Sequence, residues 1–531
     1  MRTTCIITEA GIGLSPQDMA YHLKEKPYLC FLDSSLHPDK YSRFSYMGWD
    51  PSLVLKSSGL ENEFINLAKG IKTISYRDPL GFFRQCINDF VLYGASDKKP
   101  DIRIIKNGEE GLREIGVGEK YADCGMPDLI GGFMGYFSYD LKDHLEKLPH
   151  TTEDDLGIPL IYFGFYTRLL AYDHHRLKWY FIRSYFDIEG CGRLSQILGE
   201  EDMIRPAEDD GKLMDRALLE LDDIMEGLPR GQSVIMEGIV EKYHKDPILR
   251  AALTPNIKKR QYLKKVKKTR EYIHEGDIYQ VNFSQRFKSE VPVDPMDLYY
   301  ILRKKNAAPF SAYLKFPGFS IGSSSPERFL FLKDNLIETR PIKGTRPRGR
   351  NGAEDEKNAR ELRESIKDRA ELNMIVDLER NDLGKFCYYG TVKVSGHAVI
   401  EKYARVFHSV STVRGRVKDG TDIADIIKAS FPGGSITGAP KIRAMEIIDE
   451  LETVSRGVYT GSIGYISLDA VMDLNIVIRT FIIKDGCFYY NVGGGIVADS
   501  DPRMEYQETL DKGIALEDTL NFFKSKNLAK F

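Results

Sequence analysis

The stretch FLFLKDNLIET, residues 329–339, shows how this chain is built. Apolar and β-branched residues on either side of the turn KDN (333–335) favour two strands joined by a tight connection. A second hairpin is predicted downstream, where residues 475–484 and 487–492 flank the turn DG (485–486). Hairpins of this kind predict antiparallel sheet.

Helical patterns lie between and beyond these hairpins. From about Glu354 to Leu383, apolar residues recur at every fourth position, which predicts one long amphipathic helix. These apolar residues are Leu362, Ile366, Ala370, Met374 and Leu378. Further helices are predicted at 256–275 and from about 501 to 523. Strand pairs interleaved with amphipathic helices predict the α+β class, with sheet faces packed inside and helices outside.

The chain has 531 residues, a length that suits two or three domains. Short β-rich runs alternate with turns at the start, and we predict an N-terminal domain at 1–200. The next stretch is more charged and holds one predicted helix near 213–225, so we interpret 201–255 as a bridging segment. A second domain is predicted at 256–525.

The composition narrows the class of protein. Hydrophobic residues make up 42% and charged residues 29%, an ordinary globular balance. The net charge of −3 gives no case for binding to nucleic acid or membranes, and we interpret the lysines at 258–268 as a solvated helix face. No apolar run approaches the roughly 20 residues of a membrane span. The seven cysteines are scattered without a CxxC pair and the N-terminus resembles no signal peptide, so we expect a cytoplasmic protein.

Two pairs of carboxylates lie three residues apart on predicted helices. Asp368 and Glu371 share one face of the long helix, while Glu505 and Glu508 repeat the spacing on the last helix, one turn before Lys512. Four carboxylates without a histidine or cysteine cluster suit a hard cation such as Mg²⁺. ExxE spacing is also common on helix surfaces, where Glu508 and Lys512 would form an ordinary ion pair. The spacing alone leaves both interpretations open.

Several features favour a small anionic ligand. The segment FPGGSITGAPK (431–441) ends at a predicted helix start, where free N–H groups bind carboxylate or phosphate, but it lacks the ending of a nucleotide P-loop. The run GGG (493–495) lets a ligand approach the backbone closely, and Arg479 could pair with a carboxylate. Lys343, in a predicted loop after a strand, is either a surface lysine or a nucleophile, and a nucleophile there must be desolvated.

Together these segments resemble the chorismate-utilising enzyme family, which includes anthranilate synthase component I, aminodeoxychorismate synthase component I, isochorismate synthases and salicylate synthases. The resemblance is dense from about Tyr262 to Ala515 and looser at 41–48 and 131–140. The matching motifs are IYQVNFSQRF, PERFL, ETRPIKGTRPRG, AELNMIVDLERNDLG, FPGGSITGAPKIRAMEIID, YTGSIGY, NIVIRT, GGGIVADSDP and EYQET. The resemblance implies a two-lobed α/β sandwich whose stacked antiparallel sheets bury the site, and it makes 256–525 the chorismate-binding catalytic domain.

The resemblance also implies roles for individual residues. Glu371 and Glu508 match direct ligands of Mg²⁺, and Glu505 matches a carboxylate that binds the ion through water. Asp368 stands where the family often has glutamate, which implies a weaker or water-bridged role. His408 matches a histidine beside the ring hydroxyl and the departing group. The positions matching those that hold the ring and carboxylates of chorismate are Ser435, Gly438, Tyr459, Arg479, Gly493, Gly495 and Lys512.

Two positions indicate a branch within the family. Isochorismate and salicylate synthases carry a lysine that activates water where this chain has Gln280, and a neutral amide cannot take a proton from water at pH 7. Ammonia is therefore the expected nucleophile. The loop PIKGT (341–345) is similar to that of aminodeoxychorismate synthases, whereas anthranilate synthases resemble PIAGT. This resemblance implies that Lys343 attacks C2 of chorismate and that ammonia then adds at C4, giving 4-amino-4-deoxychorismate for the biosynthesis of 4-aminobenzoate and folate.

The source of ammonia is expected to be another protein. No cysteine lies in a nucleophile elbow, so the resemblance implies a separate glutaminase subunit in a heterodimer with this chain. The alternative activity is that of anthranilate synthase component I in tryptophan biosynthesis. A non-catalytic scaffold is disfavoured, because every expected ligand position carries a competent side chain.

Overall fold

The computed structural model describes the ranges 2–35, 41, 43–91, 101–108, 111–115, 125–187, 198–205, 208–229, 235–244, 252–403 and 406–524. Within these ranges the strands form two sheets, one of 14 strands and one of 12. Helices and mainly antiparallel sheets place the protein in the α+β class, as the sequence predicts. The ends of the predicted domains at 1–200, 201–255 and 256–525 stay predictions.

The strands are β1 (Arg2–Ala10), β2 (Cys30–Asp33), β3 (Phe44–Gly48), β4 (Leu53–Ser58), β5 (Glu61–Asn66), β6 (Ile71–Tyr76), β7 (Asp101–Gly108), β8 (Gly111–Ile115), β9 (Gly132–Phe137), β10 (Ile161–Tyr166), β11 (Arg168–Asp173), β12 (Lys178–Asp187), β13 (Thr254–Pro255), β14 (Gln280–Glu290), β15 (Phe310–Phe316), β16 (Phe319–Ser325), β17 (Arg328–Lys333), β18 (Leu336–Arg340), β19 (Ile342–Pro347), β20 (Lys393–Lys402), β21 (Val406–Arg416), β22 (Gly438–Ala439), β23 (Ser462–Ser467), β24 (Met472–Asn475), β25 (Thr480–Lys484) and β26 (Cys487–Ile496). The α-helices are α1 (Pro16–His22), α2 (Pro79–Phe90), α3 (Asp210–Glu226), α4 (Ile235–His244), α5 (Lys259–His274), α6 (Pro295–Lys305), α7 (Gly352–Glu364), α8 (Ile366–Phe386), α9 (Ile423–Ser430), α10 (Lys441–Leu451) and α11 (Pro502–Lys524).

Both sheets combine strands from the two ends of the chain. The first sheet runs β13-β14-β26-β25-β16-β15-β2-β3-β11-β12-β1-β7-β8, with β22 added to β14. The second runs β19-β21-β18-β17-β24-β23-β9-β10-β4-β5-β6, with β20 added to β21. Early strands join late ones where β2 pairs with β15 in the first sheet and β9 pairs with β23 in the second.

The two sheets pack face to face through aromatic side chains. Phe316 on β15 of the first sheet stacks on Tyr162 on β10 of the second, with ring centroids 4.1 Å apart. Phe316 also meets Tyr136 on β9 edge-on at 5.6 Å. Rings of this size bury large apolar areas, so the contact between the sheets is a hydrophobic core shared by early and late strands.

The predicted hairpins and most predicted helices are confirmed. Strands β17 and β18 pair around the turn at 333–335, and β25 and β26 pair around the turn at 485–486. The helices expected at 256–275, 213–225 and 501–523 correspond to α5, α3 and α11. Among the described residues, no helix is both long enough and apolar enough to cross a membrane.

The single long helix predicted at 354–383 is wrong. Two helices, α7 and α8, meet at Ser365, whose hydroxyl accepts a hydrogen bond from the Asp368 N–H and so begins α8. The predicted apolar stripe is also wrong, since Ile366 is 85% exposed while Leu372 and Ile375 are buried. Residues spaced by four drift about 40° per step around a helix of 3.6 residues per turn, so five of them cannot share one face.

Candidate active site

A cleft forms where β26 of the first sheet meets β19 of the second. At Gly495, on β26, an added Cβ atom would lie 3.0 Å from both the Lys343 Nζ and the Gln280 Nε2. Gln280 begins the neighbouring strand β14, whereas Lys343 comes from the second sheet. A side chain at 495 would push these two side chains aside, so the glycine lets two predicted catalytic residues from different sheets approach each other.

A bulge presents Lys343 to this cleft. The pairing of β19 with β21 shifts register between Ile342 and Thr345, so Lys343 and Gly344 leave the ladder. The structure thus places Lys343 in a bulged strand rather than in the predicted loop. Its side chain is 14% exposed, and its Nζ lies 3.8 Å from the Glu371 Oε2. Burial lowers the pKa of Lys343, and the negative charge of Glu371 opposes that shift.

Helix α11 brings Glu505, Glu508 and Lys512 to the same strand. A Cβ at Gly494 would lie 3.2 Å from the Glu505 Oε2 and 3.8 Å from the Glu508 Oε1. The Ser500 hydroxyl donates to the Glu505 Oε1 at 2.6 Å, while the Glu505 Oε2 is buried with no hydrogen-bond partner in the part of the chain that the structure describes. Glu508 pairs with Lys512 at 2.7 Å, as an ordinary surface pair would.

Lys512 and Asp368 each have a further partner. The Lys512 Nζ also donates to the Gly493 carbonyl at 3.0 Å, which fixes it against β26. Asp368 accepts a hydrogen bond from the Arg346 Nη2 at 2.9 Å, so its charge is already partly balanced. Asp368, one of the four predicted metal-binding carboxylates, therefore has Arg346 as a cationic partner.

The segment 431–441 forms a second wall. A short 3₁₀ turn, Gly434–Ile436, carries Ser435, and β22 then pairs with the start of β14 beside Gln280. Gly438 has φ +149°, and any side chain there would clash with the Gln280 carbonyl. Tyr459 is buried in the same part of the fold, beside the guanidinium of Arg456.

His408 offers one free nitrogen to the cleft. Its Nδ1 shares a hydrogen bond of 2.9 Å with the Thr345 hydroxyl, and its Nε2 is buried without a partner in the described residues. Burial, followed by the positive charge of Arg479, lowers the pKa of His408 to about 3. The imidazole is therefore neutral at physiological pH.

Arg479 is a half-buried cation without a carboxylate partner among the described residues. Its Nη1 donates to the Asn306 Oδ1 at 3.3 Å, and within the described ranges no carboxylate pairs with it. Its φ of 53° places a non-glycine residue in the left-handed region, a strain that clusters at functional sites. Burial lowers the pKa of Arg479. A guanidinium without a counter-ion is suited to a ligand carboxylate.

Comparison with known proteins places this arrangement in a family. The sequence matches the family described as chorismate binding enzyme over residues 95–518. This chain belongs to that family. The cleft is accordingly the candidate chorismate site, and the enzyme acts on chorismate.

Relatives with similar sequence identity to this enzyme are named for two different activities. Anthranilate synthase component 1 of Acetivibrio thermocellus is 38% identical over 496 residues, which cover 93% of this chain and 90% of that protein. Aminodeoxychorismate synthase component 1 of Escherichia coli (strain K12) is 36% identical over 490 residues, which cover 92% of each. In a solved structure, anthranilate synthase component I from Streptococcus pneumoniae TIGR4 is 28% identical with a TM-score of 0.67, covering 90% of this chain and 92% of that chain.

The carboxylates of the enzyme fit a cation only in part. Within the described ranges, no group of three or more His, Cys, Asp or Glu side chains is close enough to hold a metal ion by itself. Burial raises the pKa values of Glu371 and Glu505, while the charge of Lys343 opposes the shift at Glu371 and the hydrogen bond from Ser500 opposes it at Glu505. Mg²⁺ typically uses one or two carboxylates together with water and substrate oxygens, so the free Glu505 Oε2 and the nearby Glu508 suit an ion that a ligand completes.

Glu327, which was not predicted as a site residue from the sequence, lies where the chain passes from β16 in the first sheet to β17 in the second. This carboxyl is buried, and burial raises its pKa to about 7, while the Ser435 hydroxyl, Lys343 and the Ile342 N–H oppose the shift. A carboxyl with that pKa can both give and take a proton at neutral pH. The available signal was the pair of charged residues Glu327 and Arg328 inside the otherwise small and apolar run GSSSPERFLF (322–331).

The geometry around Arg479 predicts how the enzyme responds to its loss. Arg479→Gln removes the unpaired positive charge, and we expect the KM for chorismate to rise roughly 10- to 100-fold, since hydrogen bonds to charged groups contribute about 1.5–3 kcal/mol. Arg479→Lys should recover only part of the loss, because an ammonium cannot form a two-pronged pair. Steady-state kinetics measure both variants, with thermal midpoints as the control for folding. An unchanged KM in Arg479→Gln would remove Arg479 from the chorismate site.

Proposed function

We propose that this chain is component I of an aminodeoxychorismate synthase, which converts chorismate and ammonia to 4-amino-4-deoxychorismate. The observation that carries the proposal is the place of Lys343. Its amine lies in the cleft beside Glu371 and Gln280, and burial lowers its pKa toward the range where a neutral amine exists. A desolvated lysine is a competent nucleophile.

The proposed reaction has two displacement steps. The Lys343 amine forms a bond to C2 of chorismate, both ring double bonds shift by one position away from C2, and the C4–O bond breaks so that the hydroxyl takes up a proton and leaves as water. Ammonia then forms a bond to C4, both double bonds shift back, and the C2–N bond to Lys343 breaks. Splitting one difficult substitution into two allylic steps lowers the barrier of each.

Proton transfer in this scheme falls to Glu327. The amine must lose a proton before attack, and the departing hydroxyl must gain one. Glu327 interacts with Lys343, and its pKa of about 7 allows it to accept the first proton and donate the second. His408 is neutral, so we assign it a hydrogen bond to the ring hydroxyl rather than the role of acid. Gln280 cannot ionise, so it cannot act as the base that would activate water.

We propose that Mg²⁺ is the cofactor. Glu371 and Glu508 would bind it directly, Glu505 through water, and Asp368 only weakly because Arg346 already holds it. When bound there, the ion would stabilise negative charge that builds on the substrate carboxylate. The substrate carboxylates would also meet Arg479, Lys512 and the turn that carries Ser435.

Anthranilate synthase component I remains the second candidate, because the relative from Acetivibrio thermocellus is as similar to this chain as the aminodeoxychorismate synthase from Escherichia coli. The two products are distinguished directly. Anthranilate is fluorescent, whereas 4-amino-4-deoxychorismate yields 4-aminobenzoate only after a lyase is added. Anthranilate as the main product of the wild-type chain would overturn the proposal.

Lys343→Ala tests the covalent step. We expect aminodeoxychorismate formation to fall by several orders of magnitude, since the nucleophile is lost while substrate binding remains, and a trace of anthranilate from direct attack of ammonia at C2. Incubation with chorismate and no ammonia should add mass to the peptide that contains Lys343 in the wild type only. Near-normal product formation by Lys343→Ala would contradict the covalent mechanism.

Substitutions of Glu by Gln, which remove the charge and keep the shape of the side chain, test the proposed metal ligands. Glu371→Gln and Glu508→Gln should abolish turnover at limiting Mg²⁺ and weaken Mg²⁺ binding in a calorimetric titration made with chorismate present. Glu361→Gln, on the exposed face of α7, is the matched control and should leave both measurements unchanged. Wild-type activity of either cleft variant at limiting Mg²⁺ would show that its carboxylate is not a ligand.

The proposed partner is a glutamine amidotransferase subunit that supplies ammonia. The isolated chain should then consume chorismate with ammonium salts and fail to do so with glutamine. Addition of a purified glutaminase subunit should restore use of glutamine. Turnover with glutamine by the chain alone would mean that it contains its own glutaminase activity.

A further inference from the structure

A second buried carboxyl, Glu379, forms a hydrogen bond with the turn that carries Ser435. Glu379 lies on α8, two turns beyond Glu371, and its side chain is almost fully buried. Its Oε1 accepts the Gly434 N–H at 3.1 Å, and its Oε2 accepts the Thr339 hydroxyl at 3.4 Å. Ser435, the next residue, interacts with Glu327. Neighbouring residues of one turn are thus held by two carboxyls from different elements.

The contact between α8 and the turn is close. A Cβ at Gly434 would lie 2.6 Å from the Leu378 Cδ2 and 3.1 Å from the Glu379 Oε1. Inside the turn, the Thr437 hydroxyl donates to the Gly433 carbonyl at 3.0 Å. The turn therefore has little room to shift, and Glu379 determines where the Gly434 N–H points.

A carboxyl at 379 is costly to bury, and its two hydrogen bonds offset only part of the lost hydration. An apolar side chain of similar size would fill the space between Leu378 and the turn, but the buried Gly434 N–H would then lose its acceptor. The carboxyl therefore holds and orients that N–H.

We propose that Glu379 is a positioning residue for the chorismate site. By accepting the Gly434 N–H, it turns that donor away from the cleft and fixes the backbone so that the N–H groups of Ser435 and Ile436 face the substrate carboxylate. The proposal rests on the anion-binding role given to Ser435 above, and it holds whichever product the enzyme makes.

Three variants test this role. Glu379→Leu removes the acceptor while keeping the volume, and we expect the KM for chorismate to rise at least tenfold with kcat changed less than threefold, because the turn holds the substrate equally in the ground and transition states. Glu379→Gln keeps an amide oxygen for the Gly434 N–H and should restore the KM to within threefold of wild type. Glu379→Met is the substitute if the leucine variant does not fold.

The assay follows loss of chorismate with ammonium salt and Mg²⁺, so an error in the proposed product does not affect it, and product identity is measured separately. Asp297→Asn is the control, because Asp297 is equally buried on α6 but bonds to Tyr21 and Tyr243 instead. It should change the thermal midpoint without changing the KM. An unchanged KM in Glu379→Leu, or an equal rise in the leucine and glutamine variants, would overturn the positioning role.

Discussion

The close approach of β26 to β19 is the constraint on which the cleft depends. Two sheets normally stand about 10 Å apart because side chains fill the space between them. Here the run Gly493–Gly495 has no side chains, so Lys343 from one sheet and Gln280 from the other come within reach of one backbone position. Everything else at the cleft is arranged around that gap, from the carboxylates of α11 behind Gly494 to the bulge that releases Lys343.

Imbalance of charge marks this cleft. Buried ions outside the cleft include close pairs, such as Arg456 with Glu452 and Arg183 with Asp202. In the cleft, Arg479 has no carboxylate among the described residues, and the Glu505 Oε2 and His408 Nε2 have no partner there. Unpaired buried groups are costly unless a ligand completes them, so the same groups that weaken the fold prepare it for an anionic substrate and for the proposed cation.

The sequence predicts where helices and strands lie better than which of their faces are buried. The hairpins at 329–339 and 475–492 follow from turn residues between β-rich runs, which are local signals. The predicted apolar stripe through Leu362 and Ile366 is wrong for two reasons. A spacing of four residues is longer than the 3.6 residues of a helical turn, and Ser365 divides the predicted helix into two. The site residues follow mainly from the resemblance to a family.

Glu327 and Glu379 could not be found in this way. Glu327 belongs to no spaced pair, the i, i+3 pair of Glu379 with Asp382 looks like ordinary helix-surface spacing, and a glutamate near a strand or on a helix is ordinarily exposed. Their importance arises from burial beside Ser435 and Gly434, which are far away in sequence. Only the fold shows that Glu327 lies where the chain crosses between sheets, and Arg479 occupies a similar crossing before β25.

The interleaving of early and late strands has a consequence for synthesis of the protein on the ribosome. Strand β2 and strand β9 are complete long before β15 and β23 emerge, yet each must end beside its late neighbour. Until then their edges carry unpaired N–H and C=O groups and apolar faces, which are prone to pair wrongly with other chains. Folding to the final sheets must await nearly the whole chain, and so many pairings between distant segments favour slow folding and a dependence on chaperones.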